Sequence, residues 1–194
     1  MIAETPLKDK LVTSTRGKFN TFDAQVILKG ASKPDAFRNY SARVLILEEL
    51  TAYPESFRKE GSIKELARAR TATYESNRKI LYISSALNHG DDMDNLFMAG
   101  DQRYYYVPCP HCRHPQRLIW QGIKYTVAEN GRVNKDSVYY ECEKCKKPIK
   151  EEHKTQMFAQ GFWQADAPEK TSEEYRSYHL SALYSPYGLH SWAA

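Results

Sequence analysis

The chain has 194 residues, a hydrophobic fraction of 41% and a formal net charge of +4. That is room for one ordinary domain plus an insertion. No apolar run is long enough to span a bilayer, which excludes a helical membrane protein, and the charge is too modest to name a polyanionic partner by itself.

In chain order, the first segment, Met1-Ile-Ala-Glu-Thr-Pro-Leu-Lys8, becomes charged almost at once and is no secretory leader, so a reducing cytosol is the expected compartment. Ala24-Gln-Val-Ile-Leu28 reads as a strand ending at Gly30, followed by a polar loop through Asp35. Arg43-Val-Leu-Ile-Leu47 is a continuous apolar run that ends in Glu48 and Glu49. Lys79-Ile-Leu-Tyr-Ile83 is a second, ending in Ser84 and Ser85. Unbroken apolar strands predict a parallel sheet covered on both faces. Between them Ser62-Ile-Lys-Glu65 forms a capping box, followed by Leu66, Ala67 and Tyr74 on roughly one helical face, so the stretch reads as strand, helix, strand.

Ligands of such sheets gather outside the carboxyl ends of the strands, where both polar doublets fall. An apolar strand closed by two acids has the pattern of a Walker B segment: one carboxylate holds Mg²⁺ and the next orients the water that attacks the γ-phosphate. Two acids after a buried strand also simply open a loop or a helical first turn.

Further along, two C-x-x-C pairs, Cys109/Cys112 and Cys142/Cys145, hold all four cysteines of the chain. Each spacer lets one pair close a tight knuckle, and the intervening residues suffice to bring the knuckles together on one tetrahedral Zn²⁺. Four thiolates leave no open position for water, so the predicted role is structural. Disulfides fit a reducing compartment poorly, and a redox dithiol needs only one pair. Tyrosine-rich runs at 104–107 and 138–140 predict strands leading into the knuckles, a ribbon too small to build its own core. His111, His114 and His153 lie nearby as surrounding residues or substitute ligands. Lys144, Lys146, Lys147, Lys150 and Lys154 follow the second knuckle as counter-charge, solvated face or phosphate contact. Glu151 and Glu152 open a helix containing Met157 and Phe158, with Gly161 as its stop.

The succession is more specific than any one motif. Val26 to Ser32, Arg43 to Pro54, Ala67 to Thr73, Lys79 to Ser85, Gln102 to Cys112, Tyr140 to Cys145, Met157 to Trp163 and Tyr178 to Pro186 together resemble the lambda-type (GpA-like) large terminase subunit of tailed bacteriophages. The resemblance implies the ATP-driven motor that packages double-stranded DNA into a capsid, working with a small terminase subunit, the capsid portal and further copies of itself in the bacterial host cytoplasm. It implies an α/β fold: a partial P-loop (ASCE-type) ATPase parallel sheet with an inserted β-rich zinc ribbon. Residues 1–92 would be the later half of the ATPase core, 93–153 the ribbon, and 154–194 a return segment.

Carried over residue by residue, Glu48 stands where the family has its Mg²⁺-binding Asp, and Glu49 where it has the catalytic Glu. Ser84 and Ser85 fall in the coupling segment, commonly Ser-Thr-Pro, that senses the nucleotide state. Thr51 stands where a second Asp is frequent, and Ala86 replaces the proline. Nowhere does a G-x-x-x-x-G-K-[ST] run occur; Gly17-Lys18 lacks both the earlier glycine and the following hydroxyl. The expectation is therefore a fragment lacking the Walker A segment and the nuclease domain, unable to hydrolyse ATP alone. The competing expectation is a zinc-ribbon nucleic-acid-binding or assembly module without ATPase activity.

Overall fold

A computed structural model describes residues 11–15, 17–21, 24–32, 37–54, 56 and 61–193, with side chains from residue 17 onward. The fold divides after Leu87 into two units, Met1–Leu87 and Asn88–Ala194.

In the first unit, β1 (Leu11–Thr15), β2 (Lys18–Thr21) and β3 (Gln25–Ile27) form an antiparallel meander. Gly17 makes the first turn at φ 79°, a conformation that favours glycine. Thr21 makes the second, its hydroxyl accepting from the Ala24 N–H at 3.0 Å. The strand expected over Ala24–Leu28 is therefore present as β3, in this meander and not beside the two apolar runs. The Thr21 turn, placed just before it, folds it back on β2 instead.

β4 (Val44–Glu48) and β5 (Lys79–Ile83) run parallel in register from Val44 opposite Lys79 to Glu48 opposite Ile83. The crossover between them carries α1 (Ile63–Ala69). Leu47, Leu50, Ile63 and Ala67 are buried, the small core that the strand–helix–strand pattern predicts. Ser62 is the N-cap residue but its hydroxyl makes no capping bond, so the expected capping box does not close. Its backbone instead bridges Ser56, which sets its extended conformation. Val44, Ile46, Leu81 and Ile83 remain exposed, so the expected cover on both faces reaches one face only among the described residues.

The second unit begins with α2 (Asp92–Ala99), which the sequence reading does not anticipate. The Asp91 carboxylate caps it by accepting from the Met93 and Asp94 N–H groups at 2.9 and 2.8 Å, and Asp92 and Asp94 suit the positive end of the helix. β6 (Arg103–Pro108), β7 (Pro115–Arg117), β8 (Ile123–Val127), β9 (Val133–Glu141), β10 (Pro148–Ile149), α3 (Lys154–Ala159), β11 (Phe162–Ala165) and β12 (Tyr178–His179) follow. One sheet runs β10-β9-β8, and in the other β6 is central. β11 pairs antiparallel along one edge of β6; along the other, β12 pairs parallel with Arg103 and Tyr104, and β7 antiparallel with Tyr106 to Pro108.

Tyr105 therefore falls in the gap between β12 and β7. Buried Tyr184 fills that gap: its hydroxyl donates to the Tyr105 carbonyl at 2.5 Å and accepts from the Leu118 N–H at 2.8 Å. Tyr140 does the same beside it, donating to the Arg117 carbonyl at 3.1 Å and accepting from the Ile119 N–H at 3.2 Å. Two tyrosine side chains thus satisfy backbone groups that no strand reaches. The rings of Tyr140 and Tyr105 each lie against a glycine. A Cβ on Gly122 would lie 2.3 Å from the Tyr140 ring, and one on Gly161 2.5 Å from the Tyr105 ring.

The core of this unit joins Val107, Leu118, Ile123, Tyr140, Ile149 and Met157 to Leu183, Tyr184 and Trp192, with Cys109 and Cys142 among them. Lys154 is fully buried. Its ammonium donates to Glu151 at 2.5 Å and to the His190 carbonyl at 3.1 Å, and lies 4.7 Å from the centre of the Trp192 ring. It thus leaves the lysine run, whose members Lys144, Lys146, Lys147 and Lys150 are exposed.

Candidate metal centre

The two C-x-x-C segments fold as near copies of each other. After β6, the Cys109 N–H donates to the His114 carbonyl at 2.9 Å and the Arg113 N–H to the Cys109 carbonyl at 3.0 Å. After β9, the Cys142 N–H donates to the Lys147 carbonyl at 3.1 Å and the Lys146 N–H to the Cys142 carbonyl at 3.0 Å. Arg113 and Lys146 take the same left-handed conformation, φ 60° and 59°, which closes each knuckle. Amides of the knuckles aim at sulfur: His111 N–H at Cys109 Sγ, 3.4 Å, and Cys145 N–H at Cys142 Sγ, 3.5 Å.

All four Sγ atoms lie within 4.8 Å of one another, with Cys109 to Cys145 at 3.9 Å and Cys112 to Cys142 at 3.8 Å. A disulfide needs sulfurs about 2.05 Å apart, so the cysteines are free thiols. A tetrahedral ion with metal–sulfur bonds of about 2.3 Å has edges of about 3.8 Å, the spacing found between the closer pairs. The donor set fits a metal ion.

The thiols are not equivalent. The His114 N–H lowers the Cys112 thiol to about 7, while burial pushes Cys109 up to about 12. For Cys145 the Lys147 N–H lowers the value, but burial and neighbouring thiols outweigh it and the net direction is upward. Four thiolates at such spacing need a cation to coexist. The histidines are engaged elsewhere: His111 Nε2 meets the Pro148 carbonyl at 2.9 Å, His114 Nε2 the Glu143 carboxylate at 2.6 Å, and His153 Nδ1 the Lys150 carbonyl at 3.2 Å. The His114–Glu143 pair links one knuckle to the other. So does buried Gln116 on β7, whose Oε1 accepts from the Glu143 N–H at 3.0 Å. Neither link has a spacing signal in sequence.

The polar doublets of the first unit lie at the carboxyl ends of β4 and β5. Glu48 ends β4 opposite Ile83, and Glu49 follows in the left-handed region at φ 54°, both exposed. A non-glycine residue there stores about 1–3 kcal/mol, held where the surroundings enforce it. Glu48 makes its charge felt at Tyr53, whose hydroxyl is pushed upward by burial first and by that carboxylate second. The two strand ends are tied by Thr51. Its hydroxyl lies 2.7 Å from Ser84 Oγ and donates to the Ser85 carbonyl at 3.1 Å, while its N–H donates to Ser84 Oγ at 3.2 Å.

A family model described as phage terminase large subunit gpA, ATPase domain, matches residues 2–163. The chain belongs to this family. No curated protein and no solved structure matches it. The family match spans both Glu48–Glu49 and the four cysteines. Among the described residues, no helix is long and apolar enough to cross a membrane. Thr51, where the family resemblance leads one to look for an acid, instead ties the loop after Glu49 to Ser84 and Ser85.

Proposed function

We propose that the chain works within the large terminase subunit of a tailed phage or prophage, the ATP-driven motor that packages double-stranded DNA. The observation that carries this reading is the tie between the strand ends. Thr51, two residues beyond Glu49, hydrogen-bonds to Ser84 and Ser85, so a displacement at the acids would reach the Ser84-Ser85 segment through this short stretch of chain. In this reading Glu48 would hold Mg²⁺ and Glu49 would orient a water, the chemistry the bound nucleotide needs, while Ser84 and Ser85 would change hydrogen-bond partners with the nucleotide state.

Cys109, Cys112, Cys142 and Cys145 hold one Zn²⁺, which anchors the ribbon and does no chemistry. Zinc is the natural choice for four thiolates at tetrahedral spacing. Double-stranded DNA, the small terminase subunit, the portal and sister copies are the partners, in the bacterial host cytoplasm. Without a G-x-x-x-x-G-K-[ST] cradle in its sequence, the chain does not turn over ATP alone.

The test is made at two levels. Purified chain with Mg²⁺ and ATP gives no turnover above background; robust hydrolysis that disappears in Glu49→Gln refutes the inactivity. In the phage or prophage background, Glu49→Gln stops DNA filling while empty capsids still assemble. Heads filled at the unmodified level refute the motor role.

A further inference from the structure

The likeness of the two knuckles extends past the thiols. Cys109-Pro-His-Cys-Arg-His-Pro-Gln116 lines up residue for residue with Cys142-Glu-Lys-Cys-Lys-Lys-Pro-Ile149. The strands repeat with them, since Gln116 on β7 pairs with Val107 on β6 as Ile149 on β10 pairs with Tyr140 on β9. Gln116 and Ile149 are both fully buried, so one position holds an amide in the first copy and an aliphatic chain in the second. Burial alone favours the aliphatic chain, because an amide taken out of water needs partners at both of its ends.

Gln116 has a partner at one end only. Its Oε1 accepts from the Glu143 N–H at 3.0 Å, while its Nε2 is buried with no hydrogen-bond partner among the described residues. A spare buried donor costs free energy, so packing does not account for the amide. The second knuckle does. Glu143 aligns with Pro110, and proline has no N–H, so the contact that Gln116 makes has no counterpart at Ile149. His114 reaches the same residue, its Nε2 meeting the Glu143 carboxylate at 2.6 Å. The backbone and the side chain of Glu143, which lies between Cys142 and Cys145, are thus both held from the first knuckle.

We infer that Gln116 is a positioning residue for the metal centre: its side-chain oxygen registers Cys142 and Cys145 against Cys109 and Cys112, and so sets how firmly the ion is kept. Residues that orient metal ligands in this way carry about 10- to 100-fold in metal affinity. The inference rests on the reading of the four thiols as a zinc site and adds to it a residue that supplies no sulfur.

The test uses the zinc-loaded full chain with a chromophoric chelator competing for the ion. Gln116→Ile makes the first knuckle match the second and raises the zinc dissociation constant about 10- to 100-fold. Gln116→Met, unbranched like glutamine, does the same, which separates the lost oxygen from any effect of side-chain shape. In Glu143→Pro, where the donor is gone, Gln116→Ile adds less than about 2-fold. Alkylation of the loaded chain by iodoacetamide, read at each cysteine by mass spectrometry, locates the effect: Gln116→Ile raises labelling of Cys145 relative to Cys112, whereas a residue needed only for the fold would raise both alike. An unchanged zinc constant, an equal loss in the Glu143→Pro background, or an equal rise in labelling at both cysteines overturns the inference and leaves the zinc site standing. A parent chain that holds no zinc overturns the site and the inference together.

Discussion

Replacing Tyr184 with phenylalanine removes one oxygen and leaves the ring in place, and the structure lets its cost be worked out. The hydroxyl accepts from the Leu118 N–H at 2.8 Å and donates to the Tyr105 carbonyl at 2.5 Å, in a position only 8% exposed. An N–H left buried without a partner costs about 1–3 kcal/mol, and the lost bond to the carbonyl adds about 1 kcal/mol. Tyr184→Phe should therefore lose about 2–4 kcal/mol. With a urea slope of about 2 kcal/mol/M, the unfolding midpoint falls by about 1–2 M.

The assay is well placed, since the three tryptophans, Trp120, Trp163 and Trp192, all lie in the second unit and report its unfolding alone. Alkaline pH gives a second readout. Burial pushes the Tyr184 hydroxyl from 10.0 up to about 12, so its contribution is full below about pH 10. It is lost as pH rises toward 12, because the unfolded chain ionises first. The alkaline decline should be shallower in Tyr184→Phe than in the parent. A midpoint within about 0.5 kcal/mol of the parent, the scatter of surface changes, would refute the bridging role.

Metal analysis should find one zinc ion per chain, lost in Cys112→Ser, and affinity should fall steeply as pH drops from about 8 to 5, because protons compete for the thiolates. Binding that is flat over that range would rule out thiolate ligation. Gly122→Ala should destabilise the second unit by about 1–3 kcal/mol, the usual cost of overpacking, since its Cβ would meet the Tyr140 ring at 2.3 Å. A parent-like melt would show that the ring moves freely. Thr51→Val should lower the stability of the first unit by only about 1 kcal/mol while abolishing packaging, a split that hydrogen exchange of β5 amides and counts of filled heads can separate. Normal packaging would sever the proposed coupling route.

What was legible from sequence follows the range of the interaction. The knuckles were legible because C-x-x-C closes locally and the same backbone turn recurs at both places. β4 and β5 were legible because four apolar residues in a row, Val44–Leu47 and Ile80–Ile83, leave few alternatives. The direction of Ala24–Leu28 was not, since a strand's propensity says nothing about its neighbour and the Thr21 turn settled the matter. Asp91 capping α2 was hidden in Gly90-Asp-Asp-Met-Asp94, a run as acidic as any loop. Thr51 meeting Ser84 across 33 residues, and Lys154 sinking into the core from a lysine-rich stretch, depend on tertiary placement that carries no periodic signal. The Tyr105–Tyr184 contact joins residues 79 apart, which places the Tyr184 bridge in the same class.

One arrangement bears on how the protein is made. Trp192 sits in the same apolar cluster as Cys109 and Cys142, and its indole N–H donates to the Leu183 carbonyl at 2.9 Å. A ribosome still sheltering that indole leaves the cluster unfinished long after the first thiols have emerged. Nascent chains would thus expose reactive sulfur throughout this stretch of synthesis, and prompt capture of a cation during translation would guard them against oxidative cross-linking.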